Sequence, residues 1–332
     1  RWHVSAWMPG TYDPELDLVY WGTGVPGPYP EIARGSDGGD LLYSNSTLAL
    51  NPQTGEIVWY FQHLSRDELD MDHVHERILV DISFEPSNEL EWYNSSAVGE
   101  ERKVLWVAGK AGTQFVLDRE TGEFLWATPT IAQNVITNID GATGEVTENG
   151  ELIFSAYGQE VLSCPGWGGG KNWPAGAYSP LTNTMYYPMQ NTCARVLATP
   201  DEGLAIYQLA SRFQLAPGTD QLGAVWAISA ETGERTWLYE QRAATYSLVT
   251  TGGGLLFGGD GNGRFRAFDQ ETGEVLWEIN LGSPVSGFPI TYAVDGRQYV
   301  AASTSGRVSE LTPELRPSVG NNLFVFALPD RD

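Results

Sequence analysis

Positive charge is scarce in this chain. Its 332 residues include 19 Lys and Arg against 42 Asp and Glu, a formal net charge of −23. Nucleic-acid binding needs clustered cations to neutralise phosphates, so that class is excluded, as is adhesion to an anionic membrane surface. Long apolar runs are missing too. Runs such as Leu255–Phe257 fall far short of the roughly 20 residues a membrane-spanning helix needs. The N-terminal Arg-Trp-His-Val-Ser-Ala-Trp has neither an initiator Met nor the apolar stretch of a signal peptide. The expectation is a removed leader, or a chain that begins inside a longer protein. Cys164 and Cys193 are the only cysteines. The count suits either one disulfide in an oxidising compartment or two buried thiols. No Cys-x-x-Cys-His occurs, so the sequence has no c-type haem attachment site.

Glycine and aromatics, by contrast, are abundant. There are 38 Gly, 12 Trp, 15 Tyr and 12 Phe, a mixture that suits tight turns between closely packed strands. One motif recurs four times: Asn51-Pro-Gln-Thr-Gly-Glu-Ile-Val-Trp59, Asp118-Arg-Glu-Thr-Gly-Glu-Phe-Leu-Trp126, Ser229-Ala-Glu-Thr-Gly-Glu-Arg-Thr-Trp237 and Asp269-Gln-Glu-Thr-Gly-Glu-Val-Leu-Trp277. A degenerate copy, Asp140-Gly-Ala-Thr-Gly-Glu145, lacks the Trp. Alternating apolar residues precede each turn, the first residue caps it and Gly takes a positive φ. Each copy therefore predicts a β-hairpin whose second strand turns a Trp inward. The Trp spacings are 67, 111 and 40 residues, and the last is the length of one four-stranded propeller blade. No 3.6-residue apolar period is sustained. The reading is all-β, in radially repeated sheets, with an irregular loop at Cys164–Pro174. Gly258-Gly-Asp-Gly-Asn-Gly263 lies between two predicted strands with no helix after it, so it reads as a hairpin turn and not as a phosphate loop.

Acidic and histidine side chains gather in Arg66-Asp-Glu-Leu-Asp70-Met-Asp72-His73-Val-His75-Glu76. Taken alone, this run is a solvated loop or, through His73, His75 and the neighbouring carboxylates, a transition-metal site.

Together with the Trp motifs, the segments Trp7-Met-Pro-Gly-Thr-Tyr12-Asp13-Pro14, Tyr20-Trp-Gly-Thr-Gly24, Asp67-Glu-Leu-Asp70, Gly109-Lys110-Ala-Gly112 and Cys164-Pro-Gly-Trp-Gly-Gly-Gly-Lys-Asn172-Trp173 resemble the pyrroloquinoline quinone (PQQ)-dependent alcohol dehydrogenases. The resemblance implies an eight-bladed β-propeller. Residues 1–332 would form a partial propeller domain, the central and C-terminal blades, with the N-terminal blades missing from this chain. It implies that Trp7 is the floor on which the planar quinone stacks, that Lys110 and Asn172 contact the quinone with Trp173 nearby, and that Cys164 and Cys193 are bridged. Asp70 falls at the family's catalytic Asp, both general base and metal ligand. Asp72 resembles the extra carboxylate of lanthanide-dependent members, which makes the implied ion Ca2+ or a lanthanide. The sequence departs from the family at Val25, which stands where a metal-ligand Asn is usual and has no side-chain donor.

The implied activity is PQQ-dependent oxidation of an alcohol to an aldehyde or ketone in the periplasm or outside the cell. Electrons would pass to an external acceptor such as a cytochrome c, and a charge of −23 would steer a basic one. The alternative is a non-catalytic propeller scaffold of the same repeat family, such as the lipoprotein of the outer-membrane barrel-assembly machinery.

Overall fold

The computed structural model describes residues 3–200, 207–306 and 308–328. Strands dominate. Among the described residues the helical elements are one turn of α-helix, Glu31–Arg34, and two short 3-10 turns. Among the described residues every strand pairing is antiparallel, as the short turns between hairpin strands require of those pairs. The chain divides into two compact units. The first comprises 1–173, 191–217 and 231–234, and the second 174–190, 218–230 and 235–332.

In the first unit, Thr11–Asp13, Leu18–Gly22, Ser46–Leu50 and Ile57–Gln62 form a four-stranded sheet in sequence order. A second sheet holds Ile78–Ser83, Glu101–Ala108, Thr113–Asp118, Phe124–Pro129 and the short Trp92–Tyr93. A third holds Glu160–Ser163, Thr192–Ala198 and Leu209–Leu215. Their apolar faces share one core, in which Tyr20, Phe61, Leu69, Met71, Phe115 and Val196 are buried together. The second unit holds two four-stranded sheets, Ala177–Ser179 to Arg235–Gln241 and Thr245–Thr250 to Val275–Asn280. A three-stranded sheet of Ile290–Val294, Arg297–Thr304 and Asn322–Ala327 completes it.

All four repeats are the hairpins the motif predicts, and each carries a register shift at the same place, one or two residues before the turn. In three of them the turn chemistry repeats bond for bond. Asn51 Oδ1 accepts the N–H of Gln53 and Thr54, Asp118 Oδ1 those of Glu120 and Thr121, and Asp269 Oδ1 those of Glu271 and Thr272. The degenerate Asp140 turn makes the same bonds to Ala142 and Thr143. The Gly258–Gly263 segment is likewise a hairpin turn, capped by Asp260 Oδ1 on the N–H of Asn262 and Arg264.

The motif Trp and Gly are partners across sheets. Trp59 lies against Gly122 of the next motif, Trp126 against Gly233 and Trp237 against Gly273. A Cβ on Gly122 would sit 2.6 Å from the Trp59 ring, and one on Gly273 2.7 Å from Trp237. Both glycines also have positive φ, 78° and 73°, so each is required twice over. Trp59 Nε1 donates to the carbonyl of Arg119 and Trp237 Nε1 to that of Gln270. Trp277 departs from the pattern. It is 38% exposed, contacting Phe265 and Phe326, where the motif predicts an inward Trp. Its sheet neighbour offers phenylalanine and not the Thr-Gly turn that a Trp covers elsewhere.

Candidate functional site

The first unit gathers Trp7, Asp70, Asp72 and Lys110 around one buried ammonium group. Lys110 lies in the turn between Glu101–Ala108 and Thr113–Asp118. Its Nζ is 2.7 Å from Asp72 Oδ2 and 3.2 Å from Asp70 Oδ1. Asp72 Oδ2 also accepts the indole N–H of Trp7 (3.2 Å), and Asp72 Oδ1 accepts the backbone N–H of Val25 (2.8 Å). Asp72 therefore ties together the indole, the ammonium and the Gly24–Val25 strand end. Asp70 Oδ1 accepts the Tyr29 hydroxyl at 3.3 Å, and the Asp70 side chain keeps some contact with solvent. Lys110 Nζ lies 5.8 Å from the Trp7 ring centroid, and His75 meets the same ring edge-on at 5.8 Å. Trp7 is 45% exposed, so a broad aromatic surface remains open beside the charged cluster.

The backbone explains why the two carboxylates converge. Leu69 and Met71 enter the core while Asp70 and Asp72, one residue on in each case, meet Lys110. Asp70 has a φ of 64°, left-handed for a residue that is not glycine. A conformation of that kind costs about 1–3 kcal/mol and persists only where the surroundings hold it. Here Asp67 supplies the hold. Its Oδ1 accepts the N–H of Leu69 and its Oδ2 that of Met71, each at 2.7 Å, bracketing Asp70. Asn45 Nδ2 donates to the same Oδ2 at 2.8 Å. Glu68 faces the other way, accepting the N–H of Glu31 and of Phe154. Asp67, Asn45, Glu68 and Tyr29 were not singled out by sequence reasoning. An Asp followed two and four residues later by buried apolar positions was the only local signal.

Electrostatics in the cluster follow from burial. Burial pushes Asp70 up to about 7, against the pull of Lys110 and with the help of Asp72 and Asp67. Burial pulls Lys110 down, but Asp72 and Asp70 more than offset it and hold the ammonium above the usual lysine range. His73 falls to about 3 and His63 and His75 well below the usual value, all through burial, so the three imidazoles are neutral. His63 and His73 stack at 4.6 Å. Glu76 pairs with the buried Lys171. His73 stacks on His63, His75 meets Trp7 and Glu76 is engaged by Lys171, so these three side chains do not converge as the transition-metal reading requires.

Cys164 and Cys193 form a disulfide. It joins the irregular loop to the Thr192–Ala198 strand, and that loop packs on Lys110, whose carbonyl accepts the N–H of Gly170 at 3.1 Å. Asn172 belongs to the loop. Its Nδ2 donates to the Gly168 carbonyl and its Oδ1 accepts the N–H of Trp173, so its amide is engaged locally.

These residues fit a planar quinone and a hard cation in kind. An open indole face, an ammonium at its edge and two carboxylates, already holding a cation between them in Lys110, form an aromatic platform beside hard oxygen donors.

Comparison with known proteins points the same way. The family model for the PQQ glucose/ethanol/alcohol dehydrogenase β-propeller domain matches residues 1–146 and 241–300. Quinoprotein alcohol dehydrogenase PedH of Pseudomonas putida is 32% identical over 352 residues, covering 98% of this chain and 55% of that protein. Lupanine 17-hydroxylase [cytochrome c] of a Pseudomonas species is 31% identical over 96% of this chain and 44% of its own length. A solved europium-containing methanol dehydrogenase superposes with a TM-score of 0.86 at 30% identity, covering 97% of this chain and 59% of that one. The chain thus spans about half the length of the curated relatives it matches.

Proposed function

Since this chain belongs to the PQQ glucose/ethanol/alcohol dehydrogenase β-propeller family, we propose that it carries the quinone-binding floor and catalytic base of an enzyme that oxidises an alcohol to an aldehyde or ketone. The observation that carries the reading is the Lys110 ammonium held between Asp70 and Asp72 beside the exposed Trp7 indole. When bound, PQQ accepts the two electrons of the alcohol as hydride while a Ca2+ or lanthanide ion polarises the quinone as a Lewis acid.

The chain's own residues do the rest. Trp7 offers the stacking surface, with its indole oriented by the bond to Asp72. Lys110 places positive charge where reduction develops negative charge. Asp70 takes the proton from the substrate hydroxyl, held toward it by the Asp67 bracket. Asp70 and Asp72 would be the carboxylates that hold the ion, and Asp72 would suit a trivalent lanthanide. Val25 turns its backbone N–H to Asp72 and has no side-chain donor to offer an ion. Asn172 and Trp173 border the cofactor through the loop on Lys110.

In this reading residues 1–332 are a partial domain of an eight-bladed propeller whose N-terminal blades lie outside the chain. The protein works in the periplasm or outside the cell and passes electrons to a cytochrome c.

The test uses metal-stripped protein with PQQ, adding Ca2+ or La3+ in parallel, and follows alcohol-dependent dye reduction. Activity lost in Asp70→Asn is the expected result. Activity that La3+ alone restores, and that Asp72→Ala removes, assigns the lanthanide role. Absence of PQQ binding under every condition would sink the proposal.

A further inference from the structure

Asp70 also opens onto a second space, distinct from the indole floor. A cavity of about 350 Å³ reaches the carboxylate and is walled by three rings, Tyr29, Trp167 and Tyr207. Leu69, Val196 and Leu209 fill the gaps between them. Tyr29 and Tyr207 meet edge-on at 5.2 Å. Val196 and Leu209 stand on the paired strands Thr192–Ala198 and Leu209–Leu215, and the Cys164–Cys193 disulfide fixes the Trp167 loop to the first of these. Val196, Leu209 and Trp167 are thus set by sheet and covalent bond.

Two polar groups of the wall are bonded to other lining residues. Tyr29 donates to Asp70, and Trp167 Nε1 donates to Ser211 Oγ at 2.8 Å. None of the lining residues is basic. A polyol would face a mainly apolar wall, and a hydroxy acid would find no free cation, because the Lys110 ammonium beside Asp70 is already paired with Asp70 and Asp72. The space equals that of roughly ten waters at about 30 Å³ each. Methanol would leave most of that water against an apolar surface, whereas a ring would expel it.

From this geometry we propose that the cavity is the substrate subsite and selects uncharged alcohols bearing an aromatic ring, with the hydroxyl at Asp70 and the ring among Tyr29, Trp167 and Tyr207. The assignment rests on the reading of Asp70 as the catalytic base.

Two readouts separate the subsite from that reading. With PQQ and metal present, kcat/KM for benzyl alcohol should exceed that for methanol by about 100-fold or more, since a single methylene in an apolar pocket is worth about 10–200-fold. Leu209→Trp fills the cavity and should lower that ratio at least tenfold. Tyr207→Ala, at an exposed position, should lower it as well. A ratio near one, or a ratio that neither variant moves, overturns the subsite and leaves the dehydrogenase standing. If no alcohol turns over, the catalytic reading fails. The subsite is then judged on benzyl alcohol binding to PQQ-free protein, followed by saturation-transfer NMR. Binding that Leu209→Trp abolishes supports it, and absence of binding overturns it.

Discussion

Two regions of this molecule use the same device, an aspartate side chain accepting backbone N–H groups just downstream. In the Asp269 turn the bonds stay within three residues, Asp269 is only half-buried, and Glu271, Thr272 and Glu274 around it are exposed. In the 67–72 segment the aspartate is itself buried and tied to Asn45, 22 positions earlier in the chain. The residue it brackets, Asp70, is left-handed and partly charged in a low-dielectric setting. The turn is local chemistry repeated for architecture. The segment is long-range chemistry, and its strain and burial have a use only if Asp70 has one. That difference sets what each region should lose when it is altered.

The largest effect should come from Asp70→Asn. It keeps the shape and removes the base, so alcohol oxidation should fall by about 10²–10⁴ in kcat/KM. Its melting temperature should change little, whereas Asp269→Ala, which removes only local turn bonds, should cost about 1 kcal/mol of stability and no activity. Steady-state kinetics and urea unfolding on both variants read the contrast.

Next comes the bracket. Asp67→Asn has one acceptor oxygen for two backbone N–H groups and sets its own amide against the amide of Asn45. It should cost about 2–3 kcal/mol in urea unfolding and lower activity as well. An Asp67→Asn protein as active and stable as the parent would dissolve the distinction between the two regions.

On the architectural side, Gly122→Ala and Gly55→Ala both place a Cβ at positive φ, at 78° and 76°. Only Gly122 has a ring against it, since nothing lies within 4 Å of a Cβ at Gly55. Each should lose about 1–2 kcal/mol from backbone conformation, and Gly122→Ala should lose a further 1–3 kcal/mol or so from the clash with Trp59. Equal losses would show that Trp-on-Gly packing contributes nothing.

The smallest effect is a pH dependence. Glu148 Oε1 accepts the N–H of Ser65 and Arg66 at the start of the acidic segment, and burial raises its carboxyl above the ordinary glutamate value. An acid whose folded pKa is raised binds its proton more tightly in the native state. Its contribution to stability therefore falls as pH rises from about 4.3 through the folded value, and is constant above that. The stability of the parent relative to Glu148→Gln should decline across that window. Melting temperatures of the two proteins from pH 4 to 8 test the sign.

The sequence made the architectural half legible because its chemistry is local. The capping residue, the Thr-Gly pair and the Trp four residues later specify a hairpin wherever they occur, and the Asp140 copy shows that the turn survives loss of the Trp. Trp277 was misread because its burial depends on what its neighbouring sheet presents, which no local pattern records. At the site, resemblance singled out Trp7, Asp70, Asp72 and Lys110, and the fold brings those four together. It could not show that Asp72 would hold the Trp7 indole, that Val25 would reach Asp72 through its backbone, or that Asn45 would support Asp67. Those contacts join residues 65, 47 and 22 positions apart.

The central claim is that the Trp7–Lys110–Asp72 cluster is a quinone seat. The direct measurement is equilibrium dialysis of PQQ against the full-length, metal-stripped protein in the presence of La3+, alongside Trp7→Ala and Lys110→Met. The account predicts one PQQ bound per protein and an affinity at least tenfold weaker in each variant. Equal binding by all three proteins, or none by the parent, would contradict it.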